Sequence, residues 1–330
     1  MSEQWWTIIG AVMSVFAVIG IGVTTRQIGW LSEEADQSLY KLIIRVLLPC
    51  LIFSVVSNNP TLRHTKNLLL PPIIGFSTLL LGMAVAMLVA RLPASWHGLE
   101  DERRRRTFAL SVGVYNWGFV PIPLVKLLFD DNDQTLGVLF IHNVGAELAI
   151  WTVGVALLLG GLSRGWWRHM INPPGMAIVV ALLFNFLHAS EHLPWFLSTA
   201  VRLLGQAAIP MAMILVGATI ADQLRPNGNL QSRSDRAKTI AWSCLLRLGL
   251  LPLAFLAIAA LVPAAVELRR VIVIEAAMPS AVFPILLARI YKGDPGTALR
   301  VTLGTSILGL VTIPLWIAGG MMLLEYIGAV

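Results

Sequence analysis

Two proline-interrupted stretches of the chain carry the residues best suited to bind a ligand. They are GVYNWGFVPIP at 113–123 and AMPSAVFP at 277–284, and each lies inside an apolar segment. Proline lacks a backbone N–H and clashes with the preceding turn, so we expect a continuous helix to stop at both places. A helix that restarts after a break exposes N–H groups and the positive end of its dipole. The pattern therefore predicts an anion site at two helix starts.

Polar and aromatic side chains beside the breaks could complete such a site. The amide of Asn116 and the hydroxyl of Ser280 can donate hydrogen bonds to an anion. Tyr115 or Trp117 could cover an apolar substrate body, whereas Asn116 could instead only cap the broken backbone. The predicted substrate-binding residues are Tyr115, Asn116, Trp117, Gly118, Pro121, Pro123, Asn143, Pro279, Ser280 and Pro284.

Two acidic residues inside apolar segments are candidates for binding a coupling ion. Glu147 lies four residues after Asn143, on the same helical face, and Glu275 directly precedes the second break. Charges inside membrane spans are costly and mark functional sites by default, so either carboxylate could carry a proton. The alternative is structural pairing with one of the basic residues inside the apolar segments, which are Lys126, Arg202, Arg247 and Arg300.

The elements that position these residues are apolar segments long enough to cross a bilayer. The 330-residue chain is 57% hydrophobic and 13% charged, against about 25% charged residues in soluble domains. Ten segments approach the roughly 20 residues that a bilayer core requires. They are 5–24, 38–57, 68–91, 107–129, 135–160, 174–188, 195–222, 239–262, 267–291 and 296–326. The predicted fold class is an all-α membrane protein with ten transmembrane helices, of which helices 4 and 9 are broken.

A constant offset indicates an internal duplication. Three residue pairs are each separated by 161 positions, namely Pro49 and Pro210, Pro123 and Pro284, and Asp133 and Asp294. An offset near half the length predicts two five-helix repeats, and because five is odd the second repeat would be inverted in the membrane. Coincidence is the alternative, since prolines are common in this chain. Broken helices in corresponding halves point to the binding site of a transporter.

The distribution of basic residues predicts the orientation. Odd-numbered loops hold most Lys and Arg residues, including the run from Arg103 to Arg106, and even-numbered loops hold four. This bias places odd loops in the cytoplasm and both termini outside the inner (plasma) membrane. The arginine run is expected to form a solvated face that could touch anionic lipid. Because the first six residues carry an acid and no base, we expect no cleavable signal peptide.

Other functional classes find little support in the sequence. The two cysteines and the six histidines show no metal-ligand spacing, so neither a metal site nor a cofactor is predicted. The basic residues cluster in loops between apolar spans, which argues against nucleic acid as a partner. The G-x-S-x-G match at 161–165 lies in a loop rather than on a strand-to-helix turn, so an intramembrane hydrolase is disfavoured. A channel is disfavoured because no ring of like residues is evident.

Several motifs resemble the auxin efflux carrier family. Asn116 and Gly118 followed by Pro121 and Pro123 match its first crossover, although Pro121 adds a proline to the usual pattern. HNVGAELAIWTVG at 142–154 and AAIPMAMILVGATIA at 207–221 are also similar. The most specific motif is EAAMPSAVFPILLARIYKGDP at 275–295, which resembles the second crossover of the plant PIN proteins. The short segment 161–173, in place of a long cytoplasmic loop, indicates a prokaryotic form.

This resemblance implies a fold similar to that of the bile acid sodium symporters. Helices 1, 2, 6 and 7 (1–60 and 174–222) would form a scaffold, and the remaining helices (61–160 and 238–330) a transport domain. It also implies a homodimer and a small carboxylate substrate, such as auxin, malate or malonate. We therefore expect a secondary transporter that exports an organic anion by elevator-type alternating access, coupled to H⁺ or Na⁺ if at all. The alternative is a sodium-coupled organic anion symporter.

Overall fold

The computed structural model describes residues 2–129, 132–161, 168, 171–223 and 232–329, and the regular structure within these ranges is helical. In the first half the helices are α1 (Ser2–Gln27), α2 (Glu33–Leu42), α3 (Leu48–Val56), α4 (Thr65–Ala90), α5 (Ala94–His97), α6 (Glu102–Gly113), α7 (Pro121–Leu128), α8 (Gln134–Ala149) and α9 (Val155–Leu159). In the second half they are α10 (Pro173–Phe186), α11 (Trp195–Gln223), α12 (Arg233–Leu245), α13 (Leu251–Leu261), α14 (Val266–Ala277), α15 (Phe283–Ile290) and α16 (Pro295–Tyr326).

Seven continuous helical segments in the described residues are long and apolar enough to cross a membrane. Three of them join two α-helices through one π-helical turn, namely Ile43–Leu47 between α2 and α3, Ile150–Gly154 between α8 and α9, and Leu246–Leu250 between α12 and α13. The predicted sixth span is the shorter apolar helix α10. The predicted fourth and ninth spans are the broken pairs α6–α7 and α14–α15. The predicted all-helical fold is thus confirmed for the described residues, and its seven candidate spans are consistent with a membrane protein. The ten transmembrane helices and the inverted repeat stay predictions.

Prolines interrupt the helices only at particular positions. Pro71 and Pro72 lie inside α4, and Pro210 and Pro314 lie inside α11 and α16, without ending these helices. At the breaks, by contrast, proline occupies the first turn of α7 and α15, where a missing N–H costs least. Proline therefore marks the restart of these helices.

Contacts between loops divide the molecule into two ends. At one end, Nε of Arg26 lies 3.2 Å from the carboxylate of Asp222, and Thr239 donates to the carbonyl oxygen of His97 at 2.8 Å. At the other end, Thr61 donates to the side chain of Gln134 at 2.7 Å. There Asn185 also donates to the backbone of residue 59, again at 2.8 Å. Among the described residues, helix ends next to odd-numbered loops thus contact each other, and so do residues at or next to even-numbered loops.

The arginines at the start of α6 do not form only the solvated face that we expected, because several of them contact other parts of the chain. Nε of Arg103 donates to the carbonyl oxygen of Gly293 at 2.8 Å, and Nε of Arg104 lies 3.8 Å from the carboxylate of Asp294. Arg105 donates to the carbonyl oxygen of Leu99 at 3.2 Å. The run therefore ties the start of α6 to the loop before α16, because that loop presents acceptors within reach.

Glycines allow the closest helix packing. A Cβ atom at Gly217 of α11 would collide with the carbonyl oxygen of Ile19 in α1, and a Cβ at Gly145 of α8 would collide with that of Pro72 in α4. Such small residues let helix backbones approach closely within a membrane. The α1–α11 and α4–α8 pairs accordingly have the most extensive contacts among the helices.

Candidate functional site

The two breaks cross each other in the middle of the protein. Residues 114–120 separate α6 from α7, and residues 278–282 separate α14 from α15; we call these two segments the crossing. The N–H of Asn116 donates to the carbonyl oxygen of Pro279 at 2.9 Å, and the N–H of Ala281 donates to that of Val114 at 2.9 Å. The broken backbones thus satisfy each other, as an interior without water requires.

Every predicted substrate-binding residue lies on the crossing or next to it. Tyr115, Asn116, Trp117 and Gly118 belong to the first segment, and Pro279 and Ser280 to the second. Pro121, Pro123 and Pro284 open the restarted helices, whereas Asn143 reaches the crossing from α8. The sequence therefore predicted where these residues lie; their contact with substrate stays a prediction.

The helix starts differ from the expectation in one respect. The predicted anion site relied on free N–H groups in the first turn of α7. Pro121 and Pro123 have no N–H, while Ile122 and Leu124 donate to the carbonyl oxygens of residues 118 and 120 at 3.0 and 3.3 Å. The first turn of α7 therefore offers its helix dipole but no free N–H group. Both prolines lack an N–H, and the two remaining N–H groups are already bonded to carbonyl oxygens.

Side chains from two neighbouring helices hold the crossing in place. Nδ2 of Asn143 in α8 donates to the carbonyl oxygen of Trp117 at 2.8 Å. In α16, the hydroxyl of Thr302 donates to the carbonyl oxygen of Ala281 at 2.9 Å, and that of Thr305 accepts from the N–H of Ser280 at 3.2 Å. The first bond belongs to the first segment of the crossing and the other two to the second.

A buried polar cluster lies on one side of the crossing. The hydroxyl of Tyr115 is within hydrogen-bond distance of Thr78 in α4, at 2.9 Å, and is 3.5 Å from Nε2 of His142. The guanidinium carbon of Arg247 lies 4.9 Å from the centroid of the Tyr115 ring. Sequence reasoning missed Thr78 altogether and considered Arg247 only as an ion-pair partner, since nothing in the sequence pairs α12 and α13 with this tyrosine.

Arg247 also binds the second segment of the crossing. Its Nε donates to the carbonyl oxygen of Met278 at 2.8 Å, and its Nη2 donates to that of Glu275 at 2.9 Å. The side chains of both Arg247 and Glu275 are buried, and neither carboxylate oxygen of Glu275 has a hydrogen-bond partner among the described residues. The other basic candidates lie elsewhere, because Lys126 and Arg300 pair with Asp133 and Asp294 at 3.5 and 3.6 Å and Arg202 is exposed on α11.

A second group of side chains at the crossing is only half-buried. It contains Asn116 and the rings of Trp117, Trp151 and Phe283. The Phe283 ring meets Trp117 edge to face at a centroid distance of 5.8 Å and Trp151 in the same manner at 5.7 Å. The sequence did not identify Trp151 as a candidate site residue, although Trp151 lies four residues after Glu147 and so on the same helical face. This partly accessible surface combines an amide with three aromatic rings.

Glu147 connects α8 to a helix outside this group. Its Oε2 accepts a hydrogen bond of 3.2 Å from Nδ2 of Asn172. The Oδ1 of Asn172 in turn accepts the N–H of Gly175 and caps the start of α10. Glu147 therefore lies between two helix groups, whereas Glu275 is enclosed next to Arg247.

Three further observations concern other possible sites in the molecule. A hollow of about 460 Å³ lies away from the crossing, between residues 64–67 at the start of α4 and residues 263–265 before α14. Within the described ranges, no group of three or more His, Cys, Asp and Glu side chains is arranged to hold a metal ion. Of the G-x-S-x-G match at 161–165, residues 162–165 lie outside the described residues.

Comparisons with known proteins agree on one class. The family model described as "Membrane transport protein" matches residues 7–165 and 161–317. The chain is 28% identical over 315 residues to an uncharacterized transporter of Methanothermobacter thermautotrophicus, with 92% of this chain and 96% of the relative covered. An uncharacterized transporter of Methanocaldococcus jannaschii is 22% identical over 315 residues, again with 92% of this chain and 96% of the relative covered. The auxin efflux carrier component 8 of Arabidopsis thaliana is 20% identical, with 87% of this chain and 90% of the relative covered.

Proposed function

Because the chain belongs to the membrane transport protein family, that of the auxin efflux carriers, we propose that it exports a small organic carboxylate anion as a secondary transporter. The family resemblance noted in the sequence is thereby confirmed. The substrate class we propose is that of auxin-like acids, malate and malonate.

The observation that carries this proposal is the crossing itself. Two helix starts meet where the half-buried amide of Asn116 and the rings of Trp117 and Phe283 are gathered. The dipoles of α7 and α15 favour negative charge at this point, and the rings offer an apolar surface beside it. A carboxylate with an organic body fits both parts of such a surface.

We propose an elevator-type alternating access for the movement. The scaffold would consist of α1 to α3, α10 and α11 (1–60 and 174–222), and the transport domain of the remaining helices (61–160 and 238–330). The packing supports this division, since α3 packs on α10 and α11, α1 packs on α11, and α4 packs on α6 and α8. The crossing would travel with the transport domain past the scaffold.

Of the two coupling candidates, Glu147 fits better with a role in coupling. Its carboxylate accepts a hydrogen bond from Asn172, which caps the start of the scaffold helix α10, so its charge bears on the contact between the domains. Glu275 is enclosed with Arg247 behind the crossing. The alternative function is a sodium-coupled organic anion symporter, and Glu147 would then bind Na⁺ instead of H⁺.

The remaining parts of the proposal concern architecture. Helices α8 and α16 begin at Gln134 and Pro295, which are 161 residues apart, and this agrees with the offset that predicted an inverted repeat. We further propose a homodimer in the inner (plasma) membrane with both termini outside and a fold like that of the bile acid sodium symporters. The separation of odd and even loops supports alternate crossings of the membrane, and the basic residues of the odd loops support their cytoplasmic side.

The test is transport by the purified protein in liposomes. Uptake of labelled malate, malonate and indole acetate is measured with and without sodium and at two pH values. The proposal expects saturable flux of at least one carboxylate. Flux without saturation would indicate a channel, and no flux or binding of any carboxylate would overturn the proposal. Dependence on sodium alone would favour the symporter.

A further inference from the structure

The charge at the crossing depends on four helix ends rather than two. Besides the starts of α7 and α15, the carbonyl ends of α6 and α14 stop at the same place. A carbonyl end carries about half a negative charge and a helix start about half a positive charge, so the two kinds of end oppose each other. An anion at the crossing therefore benefits from any group that neutralises a carbonyl end.

Arg247 is such a group for α14. Its guanidinium donates to the carbonyl oxygens of Glu275, Ala276 and Met278 at 2.9, 3.3 and 2.8 Å, and these carbonyls terminate the helix. The side chain has no exposed surface. Arginine keeps its positive charge even when buried, and a cation at a carbonyl end cancels the unfavourable part of the helix dipole.

Arg247 is also coupled to the first segment of the crossing. Its guanidinium carbon lies 4.9 Å from the ring centroid of Tyr115, the residue before Asn116, and this distance permits a cation–π contact. Its Nη1 is buried without a hydrogen-bond partner among the described residues, so the three carbonyl bonds do not use the whole guanidinium. One cation thus contacts both segments that would surround the anion.

The side chain of Glu275, whose backbone carbonyl oxygen Arg247 binds, is also buried. Both of its carboxylate oxygens lack a hydrogen-bond partner among the described residues, so it does not form a direct ion pair with the guanidinium. Burial without such a partner favours the neutral form of a carboxyl group, so Glu275 leaves the charge of Arg247 uncancelled.

We propose that Arg247 makes the crossing an anion site by neutralising the carbonyl end of α14. Arg247 is a positioning residue, because it acts through the helix end and not by touching the substrate. This inference rests on the proposed carboxylate transport.

The test measures the affinity of the purified full-length protein for malate, malonate and indole acetate. A unit charge at ~10 Å in a medium of effective dielectric constant ~20 changes anion affinity by about tenfold, so Arg247→Gln is expected to weaken binding by about that factor. Arg247→Lys keeps the charge and is expected to stay within about threefold of the wild type, and Glu275→Gln replaces one neutral group by another and is expected to do the same.

Arg269 provides a matched control. Its guanidinium donates to the carbonyl oxygens of Ala259 and Ala264 near the end of α13, at 2.9 and 3.1 Å, which is the same kind of contact at one end of the molecule. Arg269→Gln is expected to leave anion affinity unchanged. Thermal unfolding of each variant shows whether it is folded, and if Arg247→Gln is not, the lysine and Glu275→Gln variants decide.

Equal weakening by Arg247→Gln and Arg247→Lys would mean that only the hydrogen-bond geometry matters and would overturn the inference. If Glu275→Gln tightened binding by about tenfold, an ionised Glu275 would be cancelling the charge of Arg247 in the wild type, and this would also overturn the inference. If the wild type binds a carboxylate and the variants bind it equally well, the inference fails while the proposed function stands. A wild type that binds no carboxylate contradicts both.

Discussion

Tyr115 and Ser280 pair across the crossing as an isolated antiparallel bridge. Their neighbours complete it, since Asn116 donates to Pro279 and Ala281 donates to Val114. Two helices that are each broken can persist in an apolar interior only if the freed backbone groups find partners. Here each break supplies partners for the other, so the two breaks form one structural unit.

Asn143→Leu should weaken this unit. The substitution removes the donor to the carbonyl oxygen of the half-buried Trp117, at a cost of about 0.5–1.5 kcal/mol for one hydrogen bond. We expect a lower midpoint of thermal unfolding and weaker anion binding. Asn67→Leu is the matched control, because Nδ2 of Asn67 donates to the carbonyl oxygen of Thr61 at 2.9 Å, away from the crossing. It should lower the midpoint alone; weaker anion binding there as well would contradict a specific role for Asn143.

Asn116→Ala should weaken binding of a carboxylate by about tenfold, which corresponds to one lost hydrogen bond of about 1.4 kcal/mol. Its backbone N–H would still form the bridge, so the fold should be retained. The measurement is equilibrium binding of a labelled acid. Ser111→Ala serves as control, since the Ser111 hydroxyl donates within its own helix to the carbonyl oxygen of Thr107. Unchanged affinity in Asn116→Ala would favour the backbone-capping interpretation.

A cross-link between Glu147 and Asn172 should stop transport. In a background with Cys50 and Cys244 replaced, Glu147→Cys and Asn172→Cys place two thiols at the bases of side chains whose polar ends lie 3.2 Å apart, next to the start of the scaffold helix α10. Because cysteine is shorter than the native side chains, a short, reducible bis-thiosulfonate cross-linker is used to join the two thiols. Cross-linking should abolish flux but not substrate binding, and reduction should restore whatever flux the reduced variant has.

The pair Asn58→Cys and Ser190→Cys is the control for this cross-link, because both positions lie in the proposed scaffold and their side chains are 2.6 Å apart. Joining this pair with the same cross-linker should leave flux unchanged. Full transport by the cross-linked 147–172 pair would rule out a movement between these domains.

Asp294→Asn should destabilise the protein more than Asp133→Asn. The Asp294 carboxylate accepts the N–H of Thr297 at 3.1 Å and pairs with Arg300 at 3.6 Å, whereas Asp133 makes no capping bond to its helix. We expect a loss of about 1–2 kcal/mol for Asp294→Asn, as for other weakened caps and ion pairs. Thermal unfolding in detergent measures the difference, and equal midpoints would contradict it.

The sequence predicted the breaks but not the contacts that hold them. Pro121, Pro123 and Pro284 mark the restarts because proline excludes a preceding helical turn. The same argument wrongly suggests a break at Pro71 and Pro72, where α4 continues and packs closely against Gly145 of α8. Tertiary packing of this kind offsets the local cost of proline, and no local pattern reports it.

The sequence likewise did not reveal which groups the charged residues contact. Glu147 and Arg247 stood out as charges in apolar segments, yet Asn172 and the carbonyl end of α14 are distant in sequence from them. Only the arrangement of the helices determines which candidate charge meets which partner. The sequence predicts that a buried charge matters, and the structure assigns its contacts.

The most direct test of the central claim is the anomalous diffraction of the protein saturated with a brominated carboxylate. The account predicts a bromine peak next to Trp117 and Phe283, with the carboxylate density at the crossing within reach of Asn116. A peak in the hollow beside Lys66 and Ala264, with none at the crossing, would contradict it.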